Sequence, residues 1–379
     1  MIYFIANNGY HLFDISLHLE SLKADDVTLI LVAHMLDNCA IPSSVNRVIS
    51  IERVPLERGK LRAMNYARGL PRTIRKQINL TRGDTLFMYT EYELANQIIA
   101  RVFQLANIPV YLIEDGGFGT YLPFRQAASE PLNMREMLQQ QYERLMPGLE
   151  NSRIHKVNGE WFRAMDDSLL AGLLLYRDVK IARKMPCHII ARPNPGSSRA
   201  STGCGVVFLN EPIYQHYQAM ERYLADLVQI IAMLDLRFEK VHFKFHPRET
   251  AAVRNRIRAA LTNFKSIEYW QSDLPIEFGL EEFPERFACS YISTALLNLC
   301  QFGIEPIFVY QLLPDLRNEP MFLRATETLR QIGYRFPESW DAINPSFRSG
   351  ICQKLPISGA KSLLSFAKAI PSEEIVGQP

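Results

Sequence analysis

Cysteine is scarce in this sequence, long apolar runs are missing, and the net charge is close to zero. Six cysteines (Cys39, Cys187, Cys204, Cys289, Cys300 and Cys352) are spread over 379 residues. None forms a CxxC pair, and their spacing fits neither a zinc module nor a disulfide framework. Several lie in apolar stretches, as small buried hydrophobes do, so a reducing, cytosolic compartment is expected. No stretch approaches the ~20 consecutive apolar residues that cross a bilayer. The opening MIYFIANNGYHLF has no charged region ahead of an apolar one, so it does not read as a signal peptide. A net charge of +2 argues against a nucleic-acid partner. No GxGxxG follows an apolar strand, which leaves a dinucleotide oxidoreductase unsupported. Asp-x-Asp is also absent; its nearest likeness, Glu91-Tyr92-Glu93, reads as the opening of a helix. No metal site and no cofactor are therefore expected.

Short β-rich runs alternate with helical patterns instead. In the first half, strands are expected at 2–7, 27–33, 46–52, 84–90 and 109–115. Helices are expected at 11–22, at 93–106 and, broken near Pro71, in the region after residue 52. Residues 120–180 read as mostly helical and less regular. The stretch 191–204 is dense in Pro, Gly, Ser and Thr and reads as a linker. Alternation resumes with strands at 206–210, 240–245, 266–270, 286–292 and 305–310, and helices at 214–235, 249–264, 294–302 and 360–370. Such alternation implies parallel sheets covered on both faces. Two doubly wound α/β domains are expected, 1–190 and 205–379, facing a cleft, with the last helix able to pack back on the first domain. In these sheets ligands bind beyond the carboxyl ends of the strands.

Three strand ends carry polar residues. Glu114 and Asp115 close an apolar strand, and Gly116 begins a glycine-rich turn. The pair reads either as a plain strand end or as a carboxylate placed to take a proton from a hydroxyl. Lys244, His246 and Arg248 surround Pro247, which must end its strand because it lacks an N–H. They read as a solvated turn or as a site for an anion. Ser293 and Thr294 stand where a strand gives way to a helix. There a cap is the ordinary role, and a phosphate is equally well served by the helix N-terminus.

Taken in order, Glu114-Asp115-Gly116, His246-Pro247 and Ser293-Thr294 resemble the motifs of bacterial sialyltransferases of GT-B fold, of the lipooligosaccharide sialyltransferase and polysialyltransferase type. Residues 206–212 (VVFLNEP) resemble the first strand of that family's nucleotide domain. HPRE (246–249) matches its extended His-Pro motif, and LPIEFGLEE (274–282) its Pro-x-Glu segment. NNGYHLF (7–13) sits where the family has a His-bearing loop. Many relatives have Gly-Gln-Pro where this chain has Asn210-Glu211-Pro212. The resemblance implies an inverting transfer of sialic acid from CMP-sialic acid to a bacterial surface glycan, with no metal. It makes Asp115 the general base and His246 the acid at the CMP phosphate. Lys244, Pro247, Ser293, Thr294, Asn210 and Glu277 would hold the donor, while Glu114, Gly116, Asn8 and His11 would line the acceptor side. The alternatives are a GT-B transferase using CMP-Kdo or a nucleotide-diphosphate sugar, and a glycan- or nucleotide-binding protein without turnover.

Residues 58–76 carry seven Lys/Arg and no acid. They read as a solvated helix face or as a surface for an anionic partner: a membrane leaflet, a phosphorylated glycolipid or an acidic polysaccharide. The second reading places the protein at the inner face of the bacterial inner membrane. Some relatives of this type dimerise, which leaves a homodimer open.

Overall fold

Ile2–Ala6 (β1), Val27–Val32 (β2), Thr85–Met88 (β4) and Val110–Ile113 (β5) consist almost wholly of apolar residues, and nearly every one is buried. Such strands must be covered on both faces. The computed structural model, which describes residues 1–20, 27–32, 39, 41–116, 129–157, 160–192, 203–282, 285–352, 360–363 and 366, puts them at the centre of an eight-stranded sheet. Its remaining strands are Arg47–Ile51 (β3), Gly172–Leu175 (β8), Cys187–Ala191 (β9) and Lys361–Ser362 (β15), and the order is β15-β9-β8-β5-β4-β1-β2-β3. Every pairing in this sheet is parallel. Phe4 stacks on Phe87 at 5.4 Å across β1 and β4, and Tyr3 meets Phe103 edge-on at 5.0 Å.

A second sheet joins Gly203–Leu209 (β10), Val241–Lys244 (β11), Ile267–Tyr269 (β12), Glu285–Ser290 (β13) and Glu305–Phe308 (β14). Its order is β12-β11-β10-β13-β14, again all parallel. By its contacts the chain divides into two compact units. One takes the described residues of 1–115, 119–193 and 357–379, the other those of 116–118 and 194–356. Each sheet has the doubly wound order, reversing between β1 and β4 in the first unit and between β10 and β13 in the second. At such a switch point the loops leaving the two strands part and open a crevice.

Four local expectations are corrected. The basic helix (α2, Lys60–Gln77) runs through Pro71 without a break. A proline inside a helix forfeits one hydrogen bond and crowds the carbonyl four residues back. Ala63, Ala67, Leu70 and Ile74 bury one continuous stripe on both sides of it, and that shared packing holds the two halves in line. The middle segment is not mostly helical. It holds one helix (Met134–Arg144), an antiparallel hairpin of Arg153–Val157 (β6) and Glu160–Ala164 (β7), and then β8. The helix expected from residue 214 starts at Met220, after a 3-10 turn at Ile213–Gln215, because Tyr214 and Tyr217 turn aside to pack on Tyr223 and Phe322. In the expected C-terminal helix, Lys361–Ser362 instead extend the first sheet beside β9, and Phe366 packs on Tyr111 and His188. Residues 364–365 and 367–370 of that helix, and 193–202 of the expected linker, lie outside the described residues.

One glycine of the second sheet leaves no room for a side chain unless a neighbour shifts. A Cβ on Gly205 would come within 2.6 Å of the Glu285 carboxyl carbon. That carboxylate is buried, accepts the Gly205 N–H at 2.7 Å and lies 3.1 Å from His242 Nε2. Gly205→Ala would gain about 0.4–1 kcal/mol from the stiffer unfolded chain. It would also displace a buried carboxylate, at about 1–3 kcal/mol for overpacking and as much again for lost hydrogen bonds. The loss wins: the denaturant midpoint should fall by an amount equivalent to about 2 kcal/mol or more, and an unchanged midpoint would show that Glu285 moves freely.

Candidate functional site

In the first unit, the switch point gathers residues from the ends of β1, β4 and β5. Helix α1 (Gly9–Glu20) begins two residues after β1. Asn8 caps its start, accepting the His11 N–H at 3.0 Å. The fully buried His11 ring stacks on Tyr89, just past β4, at 4.5 Å and 13°. Its Nδ1 accepts the backbone N–H of Asn7 at 3.1 Å. A nitrogen that accepts carries no proton, so neutral His11 has its proton on Nε2. Nε2 lies 3.1 Å from Asp115 Oδ1, and the Asp115 side chain is 25% exposed. An ionised carboxylate can only accept, so His11 donates to it. The Asn8 amide nitrogen, 3.2 Å from the same Nε2, then contributes a contact rather than a proton.

Glu114 is placed differently from its neighbour. Successive residues at a strand end face opposite ways, and Glu114 is fully buried. It is ion-paired to Arg177 and accepts the Tyr176 N–H at 2.8 Å. Gly116 follows at φ +57°, a left-handed conformation that glycine adopts without strain. The glycines beyond it lie outside the described residues.

A polar cluster that the sequence reading did not single out lies beneath His11. Asp14, wholly buried, accepts from Tyr89 Oη at 2.8 Å, Tyr176 Oη at 2.5 Å and Arg192 Nε at 2.6 Å. Burial alone would raise the Asp14 carboxyl, but Arg192 and the two hydroxyls outweigh it and hold the pKa below the usual carboxylate range. Burial keeps His18 neutral, with a pKa of about 4. The signal was present: His11, Asp14 and His18 recur at helical spacing on a face whose other members are apolar.

In the second unit, the ends of β10, β11 and β13 meet. Glu211, after β10, shares a hydrogen bond with the side chain of Ser293, after β13. Ser293 starts the short helix Thr294–Leu299 without a side-chain cap bond, so its hydroxyl serves Glu211 rather than the helix. His246 Nδ1 accepts the Arg248 N–H at 3.2 Å, which leaves the ring proton on Nε2. Burial, with Arg248 and Lys244 adding to it, lowers the His246 pKa to about 4. Glu249 accepts the His246 N–H at 3.0 Å and the Asn210 amide at 2.6 Å, and Asn210 also bonds Tyr223. This ties the HPRE turn, with Pro247 exposed at its tip, to the end of β10. Burial raises both Glu211 and Glu249 to about 7. It lowers Lys244, whose ammonium donates to the Ser272 carbonyl at 2.7 Å, to about 8. Glu277, buried in the 3-10 segment Ile276–Glu282, accepts the Asn298 amide at 2.9 Å. The acidic partners Glu211 and Glu249 were missed as site residues, although both stand inside the quoted motifs. Among the described residues, no group of His, Cys, Asp or Glu could hold a metal ion.

Comparison with known proteins adds the decisive observation. The family model described as alpha-2,8-polysialyltransferase (POLYST) matches residues 2–310. The chain belongs to the alpha-2,8-polysialyltransferase family. Membership makes it a sialyltransferase-type glycosyltransferase. No curated protein matches the sequence significantly. Among solved structures, a protein described as UDP-N-acetylglucosamine 2-epimerase from Listeria monocytogenes is similar, at TM-score 0.50 and 10% identity over 81% of this chain and 78% of that one. UDP-GlcNAc 2-epimerase from Neisseria meningitidis, bound to UDP-GlcNAc, gives 0.47 and 10% over 86% and 85%. The spinosyn rhamnosyltransferase SpnG gives 0.44 and 13% over 89% and 85%. The first of these likenesses and the two parallel α/β units agree with the GT-B class of fold. Among the described residues, no helix of this family member is long and apolar enough to cross a membrane.

Proposed function

We propose that the protein transfers sialic acid from CMP-sialic acid to a hydroxyl of a bacterial surface glycan, with inversion at the anomeric carbon. The observation that carries this reading is the partly exposed Asp115 carboxylate, held at Oδ1 by the His11 Nε2–H, in a chain matched to this family over residues 2–310. Inversion needs a base that deprotonates the attacking hydroxyl on one face of the sugar and stabilisation of the leaving group on the other. Asp115 is the base, with His11 fixing the orientation of its carboxylate through Oδ1. Glu114, spent on Arg177 and the Tyr176 N–H, holds the strand end in place.

His246 serves the departing CMP phosphate. In the free protein its ring is neutral at pH 7 and offers Nε2–H as a hydrogen-bond donor. A bound phosphate raises its proton affinity, so that it can deliver the proton as CMP leaves. Lys244, Ser293, Thr294 and the HPRE turn line the donor seat. Asn210 and Glu277 act indirectly, by orienting Glu249 and by fixing the segment before β13. A monophosphate leaving group requires no divalent ion under this scheme. A domain boundary within 191–204 belongs to the same proposal.

Incubation of the full chain with CMP-sialic acid and a panel of labelled acceptors, read by mass spectrometry, should give sialylated product. Excess chelator should leave the yield unchanged. Transfer from CMP-Kdo or a nucleotide-diphosphate sugar, with none from CMP-sialic acid, would replace the donor assignment. Chelator-sensitive transfer restored by Mg²⁺ would overturn the metal-free scheme.

A further inference from the structure

Helix Met134–Arg144 is turned inside out. Its polar side faces the protein: Glu136 pairs with Lys156 Nζ at 3.0 Å, Gln140 Oε1 accepts the Ile154 N–H at 2.6 Å, and Glu143 holds Arg163 at 2.9 Å. Its apolar side faces outward. Met134 is 71% exposed, Met137 49%, Leu138 63% and, at the C-cap, Leu145 72%. At 3.6 residues per turn these four fall within an arc of about 100°, shared only with Gln141. A helix with a polar buried face and an apolar exposed face is the reverse of what a water-facing surface selects.

The same helix is tied to the start of α2. Tyr142 Oη donates to the Lys60 carbonyl at 2.6 Å, and Lys60 Nζ lies 5.1 Å from the Tyr142 ring centroid. From that joint α2 runs for 18 residues with no acid. Its exposed face carries Arg62, Arg68, Arg72, Arg75 and Lys76, and Leu61 among them is 75% exposed. No carboxylate among the described residues pairs with any of these five cations. Two joined helices thus present one apolar stripe and one acid-free cationic face. Each property alone has ordinary explanations. Their junction fits a surface that is both anionic and penetrable by side chains.

We propose that helix Met134–Arg144 and α2 together form the face by which the protein docks on an anionic lipid bilayer, with Met134, Met137, Leu138, Leu145 and Leu61 entering the headgroup layer and the α2 cations meeting lipid phosphates. The pattern matches that of interfacial helices, in which buried apolar area and attraction to anionic lipid both contribute. A neutral protein surface would supply the apolar partner but not the negative charge that the α2 cations call for. A soluble polyanion would supply the charge but leave the Met and Leu side chains in water. The proposal does not depend on the transferase reading, since lipid binding is measured without substrate.

The test is co-sedimentation of the full chain with phosphatidylcholine vesicles, with and without phosphatidylglycerol. Binding should require phosphatidylglycerol and weaken with added salt. R68Q/R72Q/R75Q/K76Q should lose on the order of a hundredfold in apparent affinity, because each basic residue near the surface adds to attraction. M137S/L138S/L145S should lose about tenfold and become fully salt-labile. These side chains are exposed, so both variants should melt at the wild-type temperature. Equal binding to neutral and anionic vesicles, or wild-type binding by both variants, would overturn the proposal. So would dissociation of a dimer by M137S/L138S/L145S with vesicle binding intact, or retention of a soluble polyanion by a protein that ignores vesicles.

Discussion

Asp115→Asn should lower the rate of transfer by 10²–10⁴ while leaving donor affinity nearly unchanged. Asparagine keeps the size of the side chain and can still accept from His11 Nε2–H, but it cannot take a proton from a hydroxyl. A positioned base contributes about that range of rate, equivalent to roughly 3–5 kcal/mol of barrier at ~1.36 kcal/mol per decade. The neighbouring acid provides the control. Glu114 lies in a buried pair with Arg177, and removing one partner of such a pair costs about 3–5 kcal/mol of stability. Glu114→Gln should therefore lower the melting temperature, whereas Asp115→Asn should not. Near-normal transfer by Asp115→Asn would remove the base assignment. His11→Ala, which removes one hydrogen bond to Asp115 Oδ1 and keeps the carboxylate, should cost less, on the order of tenfold.

His246→Ala should lose a comparable 10²–10⁴, and donor binding should lose a pH-dependent proton uptake. The sign follows from the environment. Burial, Arg248 and Lys244 lower the free His246 to about 4, so at pH 6 the ring is neutral. A phosphate beside it adds negative charge, raises its proton affinity and draws in a proton from solvent. Calorimetry of CMP binding in buffers of different ionisation heat should show uptake that grows as the pH falls from 7 toward 5. Glu211 and Glu249, already raised to about 7 by burial, would add their own uptake above pH 7. That upper limb should persist in His246→Ala while the lower one vanishes. If the lower limb survives the substitution, the phosphate does not sit on His246.

Much of the two sheets was legible in the sequence because buried parallel strands are written as unbroken apolar runs. β1, β2, β4, β5, β10 and β14 were found from that signal, and β11 from the alternation of Val241 and Phe243 with polar residues. The hairpin β6–β7 was not, since Arg153, His155, Lys156, Glu160 and Arg163 interrupt it, and it faces a helix through ion pairs rather than through an apolar core. Pro71 misled for the opposite reason: a local rule gave way to packing on both sides of it. At the site, the motifs put Asp115, His246 and Ser293 at strand ends, where the structure has them. They did not reveal the difference between Glu114 and Asp115, which depends on which side of the strand end each carboxylate leaves. Nor did they reveal the bond from the Asn7 backbone that selects the His11 tautomer, because backbone donors are not encoded by residue type.

The close packing of Trp270 on the segment that carries Glu277 gives the protein an optical reporter. A Cβ on Gly279 would lie 2.7 Å from Trp270 Cζ2, so the indole rests flush against the main chain there. Trp161 and Trp340 are the other two tryptophans, and conversion of both to phenylalanine would leave a single indole, excited selectively on the red edge where tyrosine does not absorb. Under the proposed donor seat, its emission wavelength and its quenching by iodide should change when CMP is added, in real time, without a radiolabel and without turnover.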